Sequence, residues 1–231
     1  DQCGSRGLGD VYKRQSGNNV AVALFGGTFN PVHNGHLKIA SELAEFLSVA
    51  KVKMMPCAFP PHRQRLNVSP QQRVALLREG IGNEYPDLDV DDLELRRSAP
   101  SYSIDSVIYL REKMNTDTPL YLCLGMDAFL KIDTWHRWSD LIEYCHIVVC
   151  ARPNYAAPQR GSLHKWINKH YCNDLSKLRE KSGGYVFFCH LSMLPISSSN
   201  IRNNIKHGLP IDGMTPSRVI DYIRTNNLYE K

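Results

Sequence analysis

The chain has 231 residues, is 42% hydrophobic and 22% charged with a net charge of +5, and has a mean hydropathy of −0.35, which excludes intrinsic disorder, collagen and coiled coil and leaves room for one sizeable core. No window approaches the ~18 consecutive apolar residues of a membrane span, and the amino terminus lacks the apolar stretch of a secretory signal, so a cytoplasmic protein with no membrane partner is expected. The cations are interspersed with acidic residues instead of forming a stripe, which argues against a nucleic-acid partner and suits small anions such as nucleotides.

Residues 1–19 show no apolar period and contain four glycines. They read as a disordered leader, compatible with a non-native origin, ahead of a single domain over 20–231. From Val20 the run VAVALF reads as a strand buried on both faces, and Gly26 and Gly27 end it. Leu37, Ala40, Leu43, Ala44 and Leu47 then recur at helical spacing from a start near Asn34. A short strand at 52–55, a proline-rich loop and a helix opened by Ser69 and Pro70 follow, the last two being a capping residue and a proline at the first helical position. Further strands are expected at 90–95, 120–124, 146–150 and 185–189, with helices over about 104–114, through 129 and 138–144, and around 163–178. Ser197, Ser198 and Ser199 cap a helix ending near Gly208, and Thr215 with Pro216 starts another through Val219, Ile220 and Ile223. Strands alternating with helices imply an α/β fold, a parallel sheet covered on both faces.

Seven cysteines, an odd number without a CxxC pair, point to reduced, packed thiols and not to disulfides or zinc. The acidic run Asp87, Asp89, Asp91, Asp92 and Glu94 matches no calcium-loop spacing and reads as a solvated strand edge.

The segment GGTFNPVHNGHL, residues 26–37, lies between the first strand and its helix, where open α/β sheets bind ligands. It has neither GxG spacing nor a Gly-Lys-Ser/Thr triplet, which disfavours the dinucleotide and Walker loops. Adjacent glycines let a phosphate approach the backbone, and the helix start offers free N–H groups. His33 and His36, three residues apart, share one face and can aim at one anion. About 160 residues later, ISSSNIR at 196–202 offers hydroxyl donors at a helix start and Arg202 one turn in. If the two segments converge above the sheet they form a cradle for a triphosphate.

The His33-Asn34-Gly35-His36 segment resembles the His-x-x-His signature of the nucleotidyltransferase superfamily, and ISSSNIR its second signature. Between them PPHR (60–63), RRSAPSYS (96–103), LGMDAF (124–129), TWHRW (134–138) and VCARP (149–153) resemble the bacterial nicotinate-mononucleotide adenylyltransferase family in order and spacing. The resemblance implies a Rossmann-like nucleotidyltransferase fold, strand order 3-2-1-4-5 with helices on both faces and C-terminal helices. It also implies adenylyl transfer from ATP to nicotinate mononucleotide, giving deamido-NAD and pyrophosphate in NAD biosynthesis. It makes His33, His36 and Arg202 catalytic and assigns ATP to Gly26, Gly27, Thr28, Phe29, Arg63, Gly125, Asp127, Ser197 and Ser199. Nicotinate mononucleotide falls to Tyr102, Ser103, Ile104, Trp135, His136 and Arg152, with Ser103 capping a helix and the Ile104 amide facing the nicotinate carboxylate. Mg²⁺ is held mainly by the ATP phosphates, without a protein metal site, and self-association is left open.

On the residues alone, Arg63 and Arg152 favour phosphate contact over a solvated surface charge, whereas Trp135 reads as well as core and Asp127 nearly as well as a turn residue. Cys57, Ala58 and Phe59 depart from the family's polar loop, whereas Ser199 keeps the hydroxyl of its usual threonine. Nicotinamide mononucleotide as substrate, pantetheine-phosphate adenylyl transfer, a class I synthetase-like activation and a non-catalytic nucleotide-binding module are the alternatives.

Overall fold

In the computed structural model, residues 20–57, 68–97, 102–151 and 158–230 are described. The leader at 1–19, Arg63 and Arg152 lie outside them. Six parallel strands form one sheet: β1 (Val22–Gly27), β2 (Val52–Pro56), β3 (Leu88–Val90), β4 (Leu120–Gly125), β5 (His146–Ala151) and β6 (Val186–His190), in the order β3-β2-β1-β4-β5-β6. The expected order of five is present, and β6 extends it beyond β5.

Alternation along each strand decides which helices cover which face. In β1, Ala23 and Phe25 enter one core layer and Leu24 the other; β4 divides Tyr121 and Cys123 from Leu120, Leu122 and Leu124 in the same way. The first layer is closed by α1 (Asn34–Leu47), α2 (Pro70–Ile81), α8 (Ser198–Lys206) and α9 (Ser217–Thr225). Covering the second are α3 (Ser103–Lys113), α4 (Met126–Phe129), α5 (Leu141–Tyr144) and α6 (Gly161–His170), while α7 (Leu175–Glu180) contributes Leu178 to the first. The chain leaves β1 towards β2 on one side and returns to β4 on the other, so the sheet's switch point lies at the carboxyl ends of β1 and β4.

Local signals place most helix starts. Ser69 accepts the Gln72 N–H at 3.1 Å and Gln72 Oε1 accepts the Ser69 N–H at 2.9 Å, a complete capping box with Pro70 at the first helical position. The third strand, expected over 90–95, instead occupies Leu88–Val90 and gives way to a 3₁₀ turn at Leu93–Arg96. Asp91 causes the break: its carboxylate accepts the Leu93 N–H at 3.0 Å, an Asx turn that ends the ladder. Asp91 and Glu94 are also not solvated as expected of that acidic run. Each is only 3% exposed, Asp91 facing Lys53 Nζ at 3.9 Å and Glu94 accepting from Ser106 Oγ at 3.5 Å. Cys123, Cys145, Cys150, Cys172 and Cys189 are buried free thiols, as packed thiols require. No helix among the described residues is long and apolar enough to cross a membrane.

Candidate active site

The loop from Thr28 to His33 leaves β1 and enters α1, and four of its carbonyls are held by side chains from distant parts of the chain. Arg73 Nη1 donates to Thr28 O at 2.9 Å, Arg202 Nη1 to Asn30 O at 2.7 Å, Ser198 Oγ to Pro31 O at 2.8 Å and Thr215 Oγ1 to Val32 O at 2.9 Å. At the helix start, the Asn34 N–H and Nδ2 donate to Met214 O at 3.0 Å and Gly213 O at 2.9 Å. The segments 26–37 and 196–202 therefore meet, Ser198 and Arg202 holding the carbonyls of Pro31 and Asn30.

His33 is the N-cap of α1, extended at φ −148 and ψ 166, and its Nδ1 accepts the His36 N–H at 3.3 Å. An Nδ1 that accepts carries no proton, so in the neutral ring the proton sits on Nε2. The two imidazoles stack with centroids 3.6 Å apart and planes 22° apart. Gly35 makes the stack possible, because a Cβ there would lie 3.1 Å from the His33 ring.

Phe29, at φ 47 and 1% exposed, turns its ring inward under the loop and meets His36 edge to face at 5.1 Å. Its side chain supports His36 from below, so only its backbone remains for the expected ATP contact. Gly27 leaves that ring its space, since a Cβ would come within 2.7 Å of it. Gly26 lies beside it at the end of β1, where a Cβ would meet nothing nearer than Leu124 at 4.0 Å. The hydroxyl of the half-buried Thr28 accepts the Cys57 S–H at 3.8 Å.

At the other end, Ser197 caps α8 by accepting the Asn200 N–H at 3.1 Å, and Arg202 Nη2 donates to Ser199 Oγ at 3.2 Å. Ser198 lends its hydroxyl to Pro31. Thr215, expected to start α9, uses its hydroxyl on Val32 instead, and Pro216 is the N-cap.

The remaining expected residues gather on the second layer. Gly125 ends β4 beside β1, and Asp127 is exposed in the first turn of α4. The cap of α3 is Tyr102 and not Ser103; Tyr102 makes no side-chain capping bond, and Ser103 is the first helical residue. The Ile104 amide keeps its place in the first turn, outside the helix's own ladder, while its side chain is buried. Tyr102 and the exposed His136 approach ring to ring at 4.5 Å, and Trp135 is half-buried against the same core. Groups of three or more His, Cys, Asp or Glu able to hold a metal are absent among the described residues.

Sequence reading gave no site role to Asn30, Arg73 or Tyr229, and gave Ser198 only a cap and a hydroxyl donor without its partner Pro31. Tyr229 donates to Asn30 Oδ1 at 2.7 Å, and burial pushes its phenol well above the ordinary value. Arg73 is 1% exposed, spans Thr28 O and Cys57 O (2.7 Å), and has its pKa lowered by burial. Its only sequence signal was a cation on the buried stripe with Val74, Leu76 and Leu77.

The sequence profile of the cytidylyltransferase-like family matches residues 24–204. The chain is 37% identical over 211 residues to a "probable nicotinate-nucleotide adenylyltransferase" of Pectobacterium atrosepticum, covering 90% of this chain and 98% of that protein. The chain belongs to the nicotinate-nucleotide adenylyltransferase family. A protein of that name from Pseudomonas syringae pv. tomato is 36% identical, with 90% and 93% covered. The fold is shared with Plasmodium falciparum nicotinic acid mononucleotide adenylyltransferase complexed with NaAD, at a TM-score of 0.69, 18% identity and coverage of 91% and 98%. Membership of this adenylyltransferase family makes the chain an enzyme, and the cradle joining Arg202 to the His33 loop lies in the matched span.

Proposed function

We propose that this chain transfers the adenylyl group of Mg²⁺-bound ATP to nicotinate mononucleotide, giving deamido-NAD and pyrophosphate, in the cytoplasm. The observation that carries the reading is the 2.7 Å bond from Arg202 to Asn30 O, which ties a cation on the serine-rich helix to the loop that leads into the paired imidazoles. The names of the relatives at 36–37% identity support the same substrate class.

In this reading the 5′-phosphate of the mononucleotide attacks the α-phosphorus in line. A new phosphorus–oxygen bond forms, the bond to the β-phosphate's bridging oxygen breaks, and pyrophosphate leaves with its electron pair. No enzyme nucleophile is needed, so rate comes from positioning and from charge stabilisation on phosphoryl oxygens. His36, with the Nε2–H of His33, donates to the α-phosphate. Arg202, Ser197 and Ser199, with Arg63, Gly26, Gly27 and the Thr28 and Phe29 backbone, hold the β- and γ-phosphates. Gly125 and Asp127 take the adenosine ribose. Tyr102, Trp135 and His136 enclose the pyridine ring, the Ser103–Ile104 amides face its carboxylate, and Arg152 its phosphate.

Adenylyl transfer from ATP requires a divalent cation. The donor set around the cradle is imidazole, hydroxyl and guanidinium, so Mg²⁺ fits here as part of the nucleotide, bound by phosphate oxygens and water. Chelation should abolish turnover yet leave the melting midpoint in place. The deciding experiment offers nicotinate and nicotinamide mononucleotides and phosphopantetheine with Mg²⁺ and ATP and follows pyrophosphate release. Preferential turnover of the nicotinate form is expected; preference for another acceptor, or none, overturns the assignment.

A further inference from the structure

We propose that Tyr229, two residues from the carboxyl terminus, is a positioning residue that aims Arg202 through Asn30. The inference deepens the reading above and rests on Arg202 holding the departing phosphates.

Asn30 is 5% exposed, and both its oxygens are committed: Oδ1 accepts the Tyr229 hydroxyl at 2.7 Å and the backbone O accepts Arg202 Nη1 at 2.7 Å. The tyrosine bond fixes the side-chain torsion and hence the peptide that points at Arg202, and Ser199 Oγ fixes the other arm of the guanidinium at 3.2 Å. A guanidinium held at two corners, through a half-buried bond to Asn30 O and an exposed one to Ser199 Oγ, keeps its remaining N–H groups in a set direction. Losing the phenol hydroxyl would leave a buried amide oxygen without its donor, and the amide would turn to find another.

The backbone delivering Tyr229 is itself unusual. Asn227 and Tyr229 both lie in the left-handed region, at φ 49 and 69, which is costly for an aromatic residue and persists where surroundings over-determine it. Tyr229 packs in the first core layer at 9% exposure, so phenylalanine would fill the same space. The hydroxyl makes the 2.7 Å bond to Asn30, and nothing about filling the core requires it. That separates a positioning role from a packing one.

The test measures kcat and KM for ATP and for nicotinate mononucleotide, by pyrophosphate release, in the parent, Tyr229→Phe, Arg202→Ala and the double variant, well below each melting midpoint. Tyr229→Phe is expected to lower kcat by about tenfold, the scale of one buried hydrogen bond, with the mononucleotide KM unchanged. In the Arg202→Ala background the same change should cost less than about twofold, because the group it aims is gone. Parent-like kcat in Tyr229→Phe, an equal loss in both backgrounds, or a Tyr229→Phe chain that fails to fold would each overturn the proposal. If Arg202→Ala alone keeps the parent's kinetics, the role given to Arg202 fails first and the proposal with it. If Arg202→Ala is crippled and Tyr229→Phe is not, only the inference about Tyr229 fails.

Discussion

His33 does two jobs with one ring. Its Nδ1 caps α1 by accepting the His36 N–H, which puts the proton of the neutral ring on Nε2, the atom proposed to donate to a phosphoryl oxygen. The two jobs separate under mutation. His33→Asn keeps a good cap and loses the imidazole, so it should melt close to the parent while turnover falls. His33→Ala should fall equally in turnover and also lose about 1 kcal/mol of stability, readable by denaturant titration. His36 caps nothing, so His36→Ala should lower kcat by roughly 10²–10³-fold with circular dichroism unchanged, the cost of losing one preorganised donor. Parent-like turnover in His36→Ala would remove its assigned role. The spacing of these histidines shows from sequence that they share a face. Which nitrogen of His33 points inward depends on its backbone angles and on Gly35 leaving room for the ring, and no sequence pattern carries that.

At the scale of the element, α2 is the best example of a segment whose boundary is legible and whose purpose is not. Ser69, Pro70 and Gln72 announce its start through contacts spanning three residues. Arg73, one position on, interrupts the apolar stripe and ties α2 to Thr28 O and Cys57 O at the ends of β1 and β2. Arg73→Met would fill the volume and strand two carbonyls, so stability should fall by about 2–4 kcal/mol. Turnover at low temperature should fall too, because the freed Thr28 carbonyl sits at the root of the cradle; loss of stability with full kcat would limit Arg73 to a structural role. The third strand is the converse case. Its residues alternate well enough to predict 90–95, yet Asp91 folds its carboxylate back onto Leu93 N–H and stops the strand at Val90. Burial of Asp91 beside Lys53 makes that turn stable, and burial is set by the packing of the whole sheet.

Across the whole molecule, the loop of the paired histidines and the residues proposed to meet the pyridine ring follow the carboxyl ends of the strands, and His146 begins β5 at the opposite end. His146 is fully buried between the Tyr121 and Tyr185 rings, its Nε2 bonded to Lys181 O at 2.9 Å and its Nδ1 accepting the Tyr185 N–H at 3.2 Å. Burial first, and then the nearby charges of Arg111 and Lys181, push its pKa down to about 4 from 6.5. The fold thus prefers the neutral ring. Its contribution is complete above pH ~6.5 and is lost as the pH falls towards ~4, by up to roughly 3 kcal/mol. Melting curves from pH 7 to 4.5 should show a flatter fall for His146→Gln than for the parent; parallel curves would contradict the buried neutral ring. Because His146 is remote from the cradle, the variant should keep the parent's kcat at pH 7.

What the sequence determined by itself was everything set by neighbours one to four residues away or by a repeating period: strand and helix alternation, the capping box of α2, the pairing of His33 with His36, and the serine-rich start of α8. From these came a parallel α/β sheet and the two segments proposed to bind phosphate. Tertiary structure alone decided that Tyr229 reaches Asn30 across 199 residues, Arg202 the same residue across 172, and Ser198 Pro31 across 167. The physical reason is range. Backbone propensity and capping act within a turn, whereas the partner of a buried carbonyl is whichever donor the packed layers bring beside it, and that is settled only when both layers close on the sheet.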